Sequence, residues 1–219
     1  MGTRIKICCI SNIEEAMLAT KYGANALGLV GPMPSGPGPI SVSLIREIAQ
    51  NVHPGVSTFL LTSEITADGI ISMYNQTYTQ VLQLVDAVED LTVYLKIRKA
   101  LPHVKLVQVI HVTGEESLDE ALLLAPYCDA LLLDSGNPKL SVKELGGTGR
   151  VHDWKISRAI VEQCGQPVFL AGGLSPSNVR EAIDHVNPFG VDICSGLRVN
   201  GKLDERLVER FVREVKRKE

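Results

Sequence analysis

Short apolar runs recur from end to end of the chain. Each is closed by a polar or Gly/Pro-containing turn and followed by a longer stretch with apolar residues spaced three and four apart. The runs predict strands at Arg4–Cys9, Ala24–Val30, Val56–Leu61, Gln80–Val85, Val104–Val112, Asp129–Asp134, Pro167–Ala171 and Gly190–Cys194. The stretches between them predict helices at Ile13–Tyr22, Val42–Asn51, Ala67–Gln76, Leu91–Leu101, Glu116–Leu124, Trp154–Gln163, Ser177–His185 and Asp204–Lys216. Ser175-Pro176-Ser177 and Asp204 supply start signals for the last two. Eight strand–helix pairs leave little chain for anything else, so the expectation is one α/β domain over residues 1–219, a (β/α)8 TIM barrel. A doubly wound open sheet is the competing architecture, but it usually carries a G-x-G-x-x-G turn after its first strand, and none follows here.

Two connections are longer than the rest, "GPMPSGPGPIS" after the second strand and "SGNPKLSVKELGGTGRVHDW" after the sixth. Both leave C-terminal strand ends, the face on which barrels build active sites.

Composition narrows the class. The 219 residues are 45% hydrophobic and 21% charged, with a formal net charge of −3, a globular balance that gives no reason to expect a nucleic-acid partner. The first apolar run is interrupted by Lys6, and no run approaches the roughly 20 apolar residues of a membrane span. The five cysteines (8, 9, 128, 164 and 194) are odd in number and lack C-x-x-C spacing. Reduced thiols in a cytoplasmic setting, and no zinc site, are therefore expected.

Chemistry concentrates at the predicted mouth. Strand alternation puts Lys6 and Cys8 inside the barrel, and Ile5, Ile7 and Cys9 against the helices. Cys8 thus reaches the mouth and Cys9 packs, although core packing is also the commoner fate of any cysteine in an apolar strand. Asp134 ends the run "DALLLD", and burying a carboxylate there is costly unless it is paired or used. It reads either as a cap for the following loop or as a proton donor facing Cys8. Gly172 and Gly173 after strand seven, and Ser195 and Gly196 after strand eight, sit where barrels commonly hold phosphate on backbone N–H groups. Gly147 and Arg150, in "GGTGR", could form a mobile cover over the site. His111 reads as a packed histidine, and "VREVKRKE" as a solvated helix face.

These residues resemble the phosphoribosylanthranilate isomerase family. Its first-strand motif K-I-C-G-I-T-N is similar to Lys6-Ile7-Cys8-Cys9-Ile10-Ser11-Asn12, and further matches are "GANALGLV", "LLLDSG", "GGTGRVHDW" and "LAGGLSPSNVREAIDHVNPFGVDICSG". The resemblance implies an Amadori rearrangement of an N-(5-phosphoribosyl) aminoaldose to a 1-deoxyribulose 5-phosphate aminoketose in tryptophan biosynthesis. It matches Cys8 to the base and Asp134 to the acid, with a small phosphosugar substrate, no cofactor or metal, and a monomer or homodimer. A thiol works as a base only when ionised, so a neighbouring cation is expected, and Lys6 is one candidate.

Three departures stand out. "PSGPGPIS" carries no Arg or Lys where the family has a basic segment contacting the anthranilate end of its substrate, Gln83-Leu84-Val85-Asp86 lacks the histidine of Q-L-H-G, and Cys9 replaces a glycine. Two alternatives therefore stand beside the leading reading: an isomerase acting on a different phosphorylated aminosugar, and a non-catalytic phosphosugar-binding barrel.

Overall fold

The computed structural model describes residues 2–34, 36–136 and 152–217. Eight strands are parallel and close in chain order: β1 (Arg4–Ile7), β2 (Ala26–Val30), β3 (Ser57–Thr62), β4 (Val81–Leu84), β5 (Lys105–His111), β6 (Ala130–Asp134), β7 (Val168–Leu170) and β8 (Gly190–Ile193). The seam is the pairing of β1 with β8, where Lys6 stands level with Asp192 and Ile7 with Ile193.

The surrounding helices are α1 (Ile13–Tyr22), α2 (Val42–Asn51), α3 (Ala67–Tyr74), α4 (Thr92–Ala100), α5 (Glu116–Leu124), α6 (Trp154–Gln163), α7 (Val179–Val186) and α8 (Glu205–Lys216). Local chemistry sets several of their ends. Asn12, Ser41, Asp153 and Asp204 each accept a backbone N–H of the first turn, and Gly23 ends α1 in the left-handed region. Helix α7 starts two residues later than its Ser-Pro-Ser signal suggests, because those residues form the preceding turn. Asn178 does not cap the helix. Its side chain accepts the Ser175 N–H (2.8 Å) and donates to the Gly173 carbonyl (3.0 Å), which shapes the loop leaving β7.

Alternation sorts the strand residues into two layers. Leu27, Leu29, Leu60, Leu82, Leu106 and Leu131 face the helices, while Ala26, Val30, Phe59, Val81, Val107 and Leu132 fill the barrel. Near the bottom Lys6 is completely buried, its Nζ 2.9 Å from Asp192 Oδ2 and 5.3 Å from the centre of the Phe59 ring. Phe59 meets Phe169 edge-on at 6.0 Å.

A short feature escapes the sequence pattern. After β8 a 3-10 turn at Ser195–Leu197 leads into an antiparallel ribbon of β9 (Arg198–Val199) and β10 (Lys202–Leu203), which returns the chain to α8.

Candidate functional site

The C-terminal strand ends open into a pocket that brings most of the expected residues together. Cys8, Asp134, Gly172, Gly173 and Ser195 all line it. Gly196 does not, and serves instead as a point of close backbone approach: a Cβ there would lie 2.2 Å from the Leu174 carbonyl oxygen. Gly147 and Arg150 fall outside the described residues.

Cys9 is where strand alternation misleads. β1 ends at Ile7, and Cys9 has φ +60°, in the left-handed region that favours glycine. This backbone conformation returns the side chain to the barrel side, so Cys9 lines the pocket and belongs to the interior cluster rather than to the helix-facing layer. Its Sγ lies 2.6 Å from Cys194 Sγ and 3.6 Å from the Pro37 carbonyl oxygen. The loop after β2 is drawn down onto it, for a Cβ on Gly38 would meet Cys9 Cβ at 2.7 Å. The contact with Cys194, a second contact with Cys8, and burial together push the Cys9 thiol well above its usual range. The hydrogen bond with Cys9 lowers Cys194, against burial and with help from Arg198.

Cys8 occupies space that β2 provides. A Cβ on Gly28 would sit 2.7 Å from Cys8 Sγ and 3.2 Å from Lys6 Nζ, so the missing side chain lets the thiol and the ammonium lie near each other. Burial opposes the Lys6 charge, but the carboxylate of Asp192 and then Cys8 outweigh it, and Lys6 is raised to about 12. Lys6 is therefore a cation at neutral pH, fixed below the pocket.

Asp134 ends β6 level with His111 at the end of β5. Burial raises its carboxyl above the ordinary value, opposed by His111 and by the Ser135 N–H, which donates to Oδ1 at 2.8 Å. An acid that holds its proton to higher pH than a free aspartate suits general-acid work. His111 is buried, with Nε2 3.0 Å from the Val85 carbonyl oxygen, so that nitrogen donates and Nδ1 has no hydrogen-bond partner.

Two further pocket residues were not singled out from the sequence. Gln83 Oε1 and Asp192 Oδ1 are buried without a hydrogen-bond partner, and both residues line the pocket. The signal was available for Gln83: it is a lone amide within the apolar strand β4. Among the described residues the pocket lining contains no Lys, Arg or His, and no group of three His, Cys, Asp or Glu is placed to hold a metal ion.

Fold and pocket together define a (β/α)8-barrel protein whose mouth carries a thiol, a buried carboxyl group and glycine-rich loops. The family model described as N-(5'phosphoribosyl)anthranilate (PRA) isomerase matches residues 5–214, and the chain belongs to that family of isomerases. It is 39% identical to N-(5'-phosphoribosyl)anthranilate isomerase 2 of Methanosarcina mazei, over 97% of this chain and 94% of that one. The isomerase of Methanocella arvoryzae is 32% identical over 98% of both. Among solved structures, phosphoribosyl anthranilate isomerase from Thermotoga maritima superposes with a TM-score of 0.82 at 29% identity, covering 98% of each chain. A complex of such an isomerase with reduced 1-(o-carboxyphenylamino)-1-deoxyribulose 5-phosphate gives 0.79 at 27% identity, with the same coverage.

Proposed function

We propose that the chain catalyses the Amadori rearrangement of N-(5'-phosphoribosyl)anthranilate to 1-(o-carboxyphenylamino)-1-deoxyribulose 5-phosphate, a step of tryptophan biosynthesis, in the cytoplasm. The observation that carries this reading is the pairing, in one barrel mouth of this family, of the Cys8 thiol with a buried Asp134 whose carboxyl is raised. Asp134 protonates the furanose ring oxygen, and the ring opens to an imine. Cys8, as thiolate, removes the C2 proton to give an enolamine, which tautomerises to the aminoketone. Every step moves only electron pairs within the substrate and protons between it and these two side chains, so the chemistry calls for no cofactor. The backbone of Gly172, Gly173 and Ser195 holds the phosphate, with Gly196 letting the second loop pack against Leu174 and Asn178 keeping the first in shape.

The test is direct turnover of phosphoribosylanthranilate, followed by the loss of its fluorescence. Cys8→Ala and Asp134→Asn, each shown to be folded, are expected to lower kcat by about 10²–10⁴-fold. Full turnover by either variant would overturn the assignment.

One observation favours a second reading. The loop after β2 presents Met33, Gly36 and Pro37 to the pocket and no cation. A charged hydrogen bond to a carboxylate contributes about 1.5–3 kcal/mol, so its absence from this loop and from the pocket lining among the described residues favours an aminosugar phosphate with an uncharged aglycone. Competition between anthranilate and non-carboxylated analogues separates the two: tighter binding of the neutral analogue supports the second.

A further inference from the structure

Cys9 and Cys194 come from opposite sides of the barrel seam and meet at its mouth. Ile7 and Ile193 are level in the β1–β8 pairing, so each chain leaves its strand at the same height. The left-handed backbone of Cys9 then turns its side chain toward β8. The two Sγ atoms are 2.6 Å apart, and a disulfide requires about 2.05 Å. Cys194 is half-buried and so can be reached from solvent, while Cys9 is buried behind it.

We propose that Cys9 and Cys194 form a reversible disulfide across the seam when the protein meets hydrogen peroxide, leaving Cys8 free. The polarity of the pair sets the order of steps. The Arg198 guanidinium and the Cys9 thiol both favour charge on Cys194, while Cys9 keeps its proton. The Cys194 thiolate attacks one oxygen of hydrogen peroxide, forming an S–O bond as the O–O bond breaks; a Cys194 sulfenic acid results, and the hydroxide expelled takes up the proton that the thiol had released and leaves as water. Cys9 sulfur then attacks that sulfenic sulfur, the S–O bond breaks, and a second water carries off the Cys9 proton. Overall two thiols are oxidised, one peroxide is reduced and two waters are formed.

Cys8 is also beside Cys9, but these two are adjacent in sequence. Their Cα atoms are held at about 3.8 Å by a trans peptide, short of the 4.4–6.8 Å usual for a disulfide, and there is no cis peptide bond among the described residues. Cys128 is excluded by depth: burial pushes its thiol up to about 12. In a reducing compartment such a bond is transient and responsive to oxidant rather than structural.

The experiment uses the full chain, reduced, desalted and treated with hydrogen peroxide. It is then alkylated and mapped by mass spectrometry without reductant. The expected result is a loss of about 2 Da in the oxidised species and one cross-link joining the Cys9 and Cys194 peptides with Cys8 alkylated, all reversed by dithiothreitol. Cys9→Gly suits the left-handed backbone, and both it and Cys194→Ser should abolish the cross-link, whereas Cys8→Ala should keep it. A bond involving Cys8, a cross-link that survives Cys9→Gly, or conversion of Cys194 to sulfinic acid with Cys9 still free would each overturn the proposal.

Discussion

Position 28 has no room for a methyl group. The Cβ of an alanine would press on Cys8 Sγ at 2.7 Å and on Cys8 Cα at 3.1 Å, and the second contact is backbone that cannot swing aside. Gly28→Ala is therefore expected to cost about 1–3 kcal/mol of stability and to lower kcat more than KM rises, read from steady-state turnover and a urea melt. His111 carries a prediction of opposite character. It is the group that most opposes the effect of burial on Asp134, so His111→Gln should let the acid hold its proton to higher pH. The alkaline limb of kcat/KM then moves up in pH, and a limb that stays in place would show that His111 does not act on Asp134. Residues of this kind differ in how far a sequence exposes them. Asp134 and Cys8 announce themselves as polar or reactive groups ending apolar runs. Cys9 does not, because alternation assumes extended backbone and a φ of +60° reverses the face without leaving any trace in the pattern.

At the scale of elements, the β9–β10 ribbon fastens the end of β1. Arg198 on β9 donates to Glu15 of α1 at 2.9 Å and to the carbonyls of Cys8 and Cys9, while the Leu203 N–H of β10 donates to the same carboxylate. Burial works against the Glu15 charge, yet Arg198 and the N–H groups of Leu203 and Ser11 hold its carboxyl below the usual value. Arg198→Met should leave that carboxylate without its counter-charge and cost about 3–5 kcal/mol in urea unfolding. The double variant with Glu15→Met should lose less than the sum of the two single changes. The eight strands and eight helices were legible because each spans enough residues for its period to repeat. The ribbon was not, since strands of two residues have no period, and the partner of Arg198 lies 183 residues away in sequence.

For the whole molecule, acid is the expected weakness. His152 is held at about 4 by burial, with Nε2 2.7 Å from Ser157 Oγ. Its folded value lies below the unfolded one of 6.5, so the unfolded chain binds the extra proton. Stability is therefore complete above pH ~6.5 and declines toward pH ~4, by about 3 kcal/mol from this group. His152→Asn should flatten that window in denaturant titrations run at several pH values. The barrel and its closure were legible from eight evenly spaced strand–helix pairs, whereas the ion pair at the seam was not: Lys6 reads as an interior cation on its own, but Asp192 gives no sign of being its partner until β8 lies beside β1.

That pairing has a consequence for the newborn chain. The only salt-bridge partner of Lys6 among the described residues follows 186 positions later, so at about 5–20 residues per second the ammonium waits roughly 10–40 s for it. A buried charge without its partner is too costly to enclose, so β1 must stay open to solvent until Asp192 has been made. Chains arrested before Asp192 should then be cut by protease near Lys6, and chains extended past the last helix should not.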